Sequence, residues 1–170
     1  MPTAPDLRSD ETEFQAALQA EDALGMVVRA HIRIELCLND LIALLVVDQA
    51  YVDKMNLEYS QKVHLAVAVG LKPEYAPPLL AMGSLRNGFA HRANMALGKQ
   101  EANNLFKALP TADRAIVIQA YEKTKRELDR SEMPQFRGLP AKEQFIFIAV
   151  GLRAALMFAV AEAQVKKSTA

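Results

Sequence analysis

A short segment of the chain, Leu85 to Arg92, holds an arginine, an asparagine and a histidine at close spacing. Arg86 and Asn87 precede His91 by five and four residues. Metal-free RNA cleavage needs a base for the 2′-hydroxyl proton, an acid for the leaving 5′-oxygen, and a fixed cation for the charge on the phosphorane. A histidine imidazole, with an ordinary pKa of about 6.5, suits the proton transfers, and a guanidinium suits a bidentate grip on phosphate oxygens.

The helical geometry of this segment limits how its three side chains can act together. Asn87 lies one turn before His91, so its side chain would either orient the imidazole or contact the phosphate. In an ideal helix Arg86 and His91 are about 140° apart, too far round to share one phosphate easily. Either Gly88 loosens the turn, or two subunits each contribute one such pair. In a purely structural alternative, Arg86 lies on the surface and His91 caps the helix end.

The same segment resembles the motif of the HEPN superfamily, compact helical bundles. Its ribonuclease members carry an arginine, roughly four to six further residues and a histidine, often with a polar residue directly after the arginine. The match consists of Arg86, Asn87 and His91, with the Arg-Asn start and the Ala-His end. A second segment, Ser60 to Leu71, is similar to the lysine-plus-apolar run ending in Gly-Leu that precedes the motif in several such families. The resemblance covers roughly Val28 to Ala93.

This resemblance implies two alternative functions. The first is a metal-independent endoribonuclease of the toxin or defence type, in which His91 is the acid and base, Arg86 binds the scissile phosphate and Asn87 positions one of them. Such an enzyme implies an RNA substrate, a site built across a homodimer, and an antitoxin or regulatory protein partner. The second is a non-catalytic regulatory or interaction module, similar to mannitol-operon-repressor-like proteins, in which the same residues serve structure or bind a small anion.

The helix that precedes the motif carries a polar line on an apolar flank. His31, Glu35 and Asn39 are four residues apart along a helix predicted from Ala23 to Val47, so they share one side. Such a line is either a buried hydrogen-bond ladder or the wall of a site. We take Glu35 and His31 as residues that support the site. Because carboxylates are rarely buried alone, Glu35 is expected to pair with a cation, either Arg153 or an arginine of the motif.

Apolar periodicity and capping signals predict the fold class. They predict an all-α, up-and-down bundle of about five or six helices. The resemblance implies that residues 1–170 form a single HEPN-like domain. The helices from Ala23 and from Pro77 and the last helix are expected to form the core. The predicted helices run from Ser9, as N-cap, to about Asp22, from Ala23 to Val47, from Leu57 to Val69 with Gly70 as cap, from Pro77 to the His91 region, around Glu101 to Ala108 with Pro110 closing it, from Thr111 to about Asp129, and from Ala141 to about Lys166.

The last predicted helix is apolar from Phe145 to Ala161 except for Arg153. This stretch is near the lower length limit for a membrane span, and an arginine at its centre costs ~2.5 to 3.5 kcal/mol on insertion. We therefore interpret it as a buried helix and expect no membrane partner. A helix without a wet face lies inside a bundle or in a subunit interface, which favours a homodimer.

Composition narrows the function classes. Twenty Lys and Arg balance twenty Asp and Glu, so a polyanion site must be local and cannot come from bulk charge. A single cysteine, Cys37, and the lack of an apolar leader favour the cytoplasm. The three histidines fall on different predicted helices without metal-ligand spacing, and no Gly-rich phosphate loop or helix-turn-helix is present. We therefore expect no metal, no cofactor and no direct DNA binding.

Overall fold

The computed structural model describes residues 7–91, 95–129 and 132–169, and every regular element in these ranges is helical. The predicted all-α helical bundle is confirmed. Ala93, at the end of the resemblance, lies outside the described residues. The α-helices of the described chain are α1 (Leu7–Ala20), α2 (Ala23–Leu45), α3 (Gln49–Lys54), α4 (Tyr59–Val69), α5 (Ala76–His91), α6 (Lys99–Ala108), α7 (Thr111–Glu127) and α8 (Ala141–Thr169).

The helix ends follow local capping chemistry. The Asp22 carboxylate accepts a hydrogen bond from the Gly25 backbone N–H at 2.7 Å and starts α2. Gly70 ends α4 with φ 136°, a backbone conformation that residues with a Cβ atom rarely adopt. The predicted glycine cap is therefore confirmed. The predicted N-cap Ser9 is wrong, because α1 already begins at Leu7.

The bundle has eight α-helices in its described part, more than the five or six expected. The short helix α3 is one that the sequence did not indicate. It buries no residue, so it carries no apolar stripe for periodicity to detect. Its start is fixed by the Asp48 carboxylate, which accepts from the Ala50 N–H at 2.9 Å.

The core is centred on α2 and α8, which make the most extensive contact of any two helices in the described chain. α5 packs against α2, α4 and α6. α1, α6 and α7 pack against α8. The three helices expected to form the core, α2, α5 and α8, do contribute to it, and further helices pack around them. Buried side chains of α2 and α8 include Met26, Ile34, Leu38, Leu41, Phe145, Ile148, Leu152 and Leu156.

α8 combines a packed face with an apolar exposed face. It is the one described helix long and apolar enough to cross a membrane, with a mean hydropathy of 2.0 over 18 residues, of which 44% are buried in the fold. The core helix of a soluble bundle has the same length and composition. Phe158 and Val165 are 66% and 65% exposed. α8 is therefore as apolar as the sequence predicts. In a single chain, however, other helices pack against only one side of it.

Arg153 of α8 is paired with α1. The guanidinium is buried, its Nη2 donates to Asp10 Oδ2, and it lies over the Phe14 ring at 4.9 Å. Within the described residues, Arg153 Nε and Nη1 have no hydrogen-bond acceptor. The expected pairing of Arg153 with Glu35 is therefore wrong, because Arg153 faces α1 whereas Glu35 faces α4.

Candidate functional site

A groove of about 510 Å³ lies between α2, α4 and α5 and opens to solvent. It brings together four of the five residues that the sequence analysis assigned to a site, Arg86, Asn87, Glu35 and His31. The fifth, His91, does not line it. The lining residues are His31 and Glu35 from α2, Leu57 and Glu58 before α4, Tyr59 and Ser60 from α4, and Leu80, Gly83, Ser84, Arg86 and Asn87 from α5.

The polar line on α2 forms one wall of this groove. His31 and Glu35 are one turn apart, face α4 and line the groove, with His31 Nδ1 3.8 Å from Glu35 Oε2. Asn39, one turn further on, lines a neighbouring depression together with Asp53 and Lys62.

Glu35 is held between a lysine and a histidine. Lys62 Nζ donates to Glu35 Oε1 at 2.7 Å, and the other carboxylate oxygen is 3.8 Å from His31 Nδ1. The expectation that Glu35 pairs with a cation is confirmed, but the cation is Lys62 of α4. Lys62 could have been noticed in the sequence, because it is the lysine of the lysine-plus-apolar segment from Ser60 to Leu71. Pairing it with Glu35 required knowing that α4 lies beside α2.

His31 is nearly buried, with 7% of its surface exposed. Burial lowers the pKa of its imidazole; the Glu35 carboxylate opposes this shift, while the positive charges of Arg86 and Lys62 add to it. The ring is therefore neutral at neutral pH. A neutral imidazole keeps one nitrogen free to accept a proton.

Tyr59 is a groove residue that sequence reasoning missed. Its ring centroid is 4.3 Å from that of His31, and its hydroxyl donates to the Leu79 carbonyl at 3.1 Å. Burial raises the pKa of the Tyr59 phenol, so it stays protonated. The sequence offered one indication of this role: Tyr59 is three residues before Lys62, so both lie on the same side of α4. Tyr59 thus packs on the His31 ring from the α4 side.

The close approach of α5 to Tyr59 depends on Gly83. A Cβ at Gly83 would lie 2.7 Å from Tyr59 Cδ1, closer than nonbonded carbon atoms approach. We expect Gly83→Ala to lower the free energy of unfolding by about 1–3 kcal/mol, because the anchored ring must move. Urea denaturation measures this change.

Gly88→Ala on the same helix is the matched control. There the added methyl meets only the flexible end of Met95, and alanine gains up to about 1 kcal/mol of helix propensity over glycine. Equal stability losses for Gly83→Ala and Gly88→Ala would contradict the packing described for Tyr59.

Arg86 and Asn87 form the exposed end of the groove. Arg86 Nη1 donates to Asn87 Oδ1 at 3.1 Å. Among the carboxylates that the structure describes, none forms an ion pair with Arg86. The guanidinium therefore keeps donors free at the groove, an arrangement that suits an anion with several oxygens, such as a phosphate.

His91 is the last residue of α5 and is exposed. The helix continues without a break through Gly88, so the alternative in which Gly88 loosens the turn is wrong. Arg86 and His91 remain on different sides of one helix. In a single chain, Arg86 lines the groove and His91 does not.

The described ranges hold no group of three or more His, Cys, Asp or Glu side chains arranged for a metal ion. No protein-family model, curated protein or solved structure matches the chain. The HEPN resemblance and the roles that it implies stay predictions.

Proposed function

We propose that this chain is a metal-independent endoribonuclease that holds an RNA phosphodiester at Arg86. The observation that carries the proposal is the Arg86 guanidinium, which lies on an open groove, bonded to Asn87 and without an ion pair to any described carboxylate. A fixed cation of this kind stabilises the charge that develops on the phosphorane and needs no reorganisation during the reaction.

The proposed reaction is a transesterification. The 2′-oxygen attacks phosphorus, the bond from phosphorus to the 5′-oxygen breaks, and the products carry a 2′,3′-cyclic phosphate and a 5′-hydroxyl. His91 protonates the leaving oxygen, and Asn87 holds the guanidinium in place. No redox partner enters this reaction.

The site is proposed to be complete only in a homodimer. His91 does not line the groove of its own chain, so His91 of a second copy acts on the phosphate held by Arg86. Ile32 and Leu36, 51% and 49% exposed, directly follow the groove residues His31 and Glu35 on α2. Exposed apolar side chains beside the groove fit an interface between copies. An enzyme of this kind, acting on RNA in the cytoplasm, calls for an antitoxin or regulatory partner.

His91→Ala tests the proposal together with removal of metal ions. Wild-type protein in EDTA should cleave mixed cellular RNA, whereas His91→Ala should be slower by 10²- to 10⁴-fold, because a general acid is lost. Gel analysis of the RNA, with chemical mapping of the product ends, measures both.

His64→Ala is the matched control, since His64 is also exposed on a helix but does not line the groove. Inhibition of the wild type by EDTA, or unchanged activity of His91→Ala, would contradict the proposed chemistry.

One observation favours a second candidate, a non-catalytic module that binds a phosphate-bearing ligand. In a single chain the groove contains Arg86, Asn87 and Ser84 but not His91. On this alternative, no version of the protein cleaves RNA, while the wild type binds a fluorescein-labelled single-stranded oligoribonucleotide and Arg86→Ala does not.

A further inference from the structure

One imidazole in the groove has no part in the function proposed above. We propose that His31 is a second proton-transfer residue, which removes the 2′-hydroxyl proton, and that Glu35 is its positioning residue. This inference rests on the proposed ribonuclease function and assigns the base that the reaction needs besides the acid.

The geometry that carries this inference lies within one chain. His31 on α2 and Arg86 on α5 line the same groove. His31 Nδ1 is turned toward Glu35 Oε2 at 3.8 Å, so Nε2 is the nitrogen left to accept a proton. Tyr59 packs on the ring at 4.3 Å and is itself tied to the Leu79 carbonyl, which limits rotation of the imidazole.

The charged groups that act on His31 lie on the three helices that form the groove. Glu35 lies on its own helix, Tyr59 and Lys62 on α4, and Arg86 on α5. Burial, Arg86 and Lys62 lower the pKa of His31, and Glu35 limits the fall. His31 is thus unprotonated at neutral pH, as a general base must be, and it lies beside the cation that holds the phosphate.

The proton balance of the step is complete. His31 Nε2 takes the 2′-hydroxyl proton as the 2′-oxygen bonds to phosphorus, and the 5′-oxygen leaves with a proton from His91. His31 ends protonated and His91 neutral. Proton exchange of each with water restores the starting state.

Replacing His31 separates this inference from the function that it rests on. We expect His31→Asn to lower kcat by 10²- to 10⁴-fold on a fluorescein-labelled single-stranded oligoribonucleotide. Binding of the all-deoxy oligonucleotide, which cannot react, should change less than about threefold. His64→Asn is the control and should match the wild type.

Two results overturn the inference in distinguishable ways. If His31→Asn cleaves at the wild-type rate while Arg86→Ala and His91→Ala do not, His31 is not the base and the proposed function stands. If the wild type cleaves no RNA, the function and the inference fail together.

A pH profile tests the role of His31 without replacing it, and also serves if His31→Asn does not fold. Glu35→Gln removes the charge that raises the pKa of His31, so the acid limb of kcat/KM should move to lower pH. Lys62→Gln removes a charge that lowers this pKa, so the limb should move to higher pH. A merely structural role would slow both variants without opposite shifts, and shifts in one direction or none would overturn the inference.

Discussion

Arg86→Ala should lower kcat/KM for RNA cleavage by about 10³-fold, the cost typical of losing a preorganised group that stabilises transition-state charge. The side chain is exposed, and its one hydrogen bond is to the neighbouring Asn87. The variant should therefore fold as the wild type does. Initial rates on a labelled single-stranded oligoribonucleotide measure the change.

Arg33→Ala is the matched control, because Arg33 is exposed on α2 and does not line the groove. Full activity of Arg86→Ala, or an equal loss in Arg33→Ala, would contradict the assignment of the phosphate to Arg86.

Mixing two inactive variants tests the composite site. In a heterodimer of Arg86→Ala and His91→Ala, one of the two sites keeps both residues. Random exchange of equal amounts should therefore restore about one quarter of wild-type activity. No recovery after verified subunit exchange would contradict a site shared between two copies.

Asp10→Ala should lower the free energy of unfolding by about 3 kcal/mol, because it leaves the buried guanidinium of Arg153 without its counter-charge. This value is at the lower end of the usual range, since the Asp10 side chain is one-third exposed. Chemical denaturation monitored by circular dichroism measures the loss.

A double variant separates the ion pair from simple packing. Arg153→Met keeps much of the side-chain volume over Phe14 and removes the charge. Combined with Asp10→Ala, it should recover most of the lost stability. Glu13→Ala is the control, because Glu13 is exposed on α1, the helix of Asp10, and its replacement should have little effect on stability. Additive losses from Asp10→Ala and Arg153→Met would contradict the pairing.

The elements that sequence patterns could predict are those with strong local signals. α2 is predicted by apolar residues that repeat at helical spacing, and α4 by the glycine cap at Gly70. α3 was missed because it has no buried face. The local pattern left open whether α5 continues through Gly88, and the structure shows that it does.

For the site, residues on one helix could be predicted, and pairs between helices could not. The line of His31 and Glu35 follows from helical spacing, as does the separation of Arg86 from His91. Lys62, 27 residues from Glu35, and Asp10, 143 residues from Arg153, became partners only through tertiary packing. The geometry of a single helix therefore predicts which side chains share a face of that helix. The partners of an ion pair between helices can be identified only from the tertiary structure.

Cleavage of a DNA oligonucleotide that contains a single ribonucleotide tests the central claim most directly. The proposed reaction needs a 2′-hydroxyl next to the scissile phosphate and no metal ion. In EDTA, the wild type should cut only on the 3′ side of the ribonucleotide, leave a 2′,3′-cyclic phosphate, and spare the all-DNA control. An intact chimera under conditions in which the protein is folded and dimeric, or cleavage at deoxynucleotides, would contradict the account.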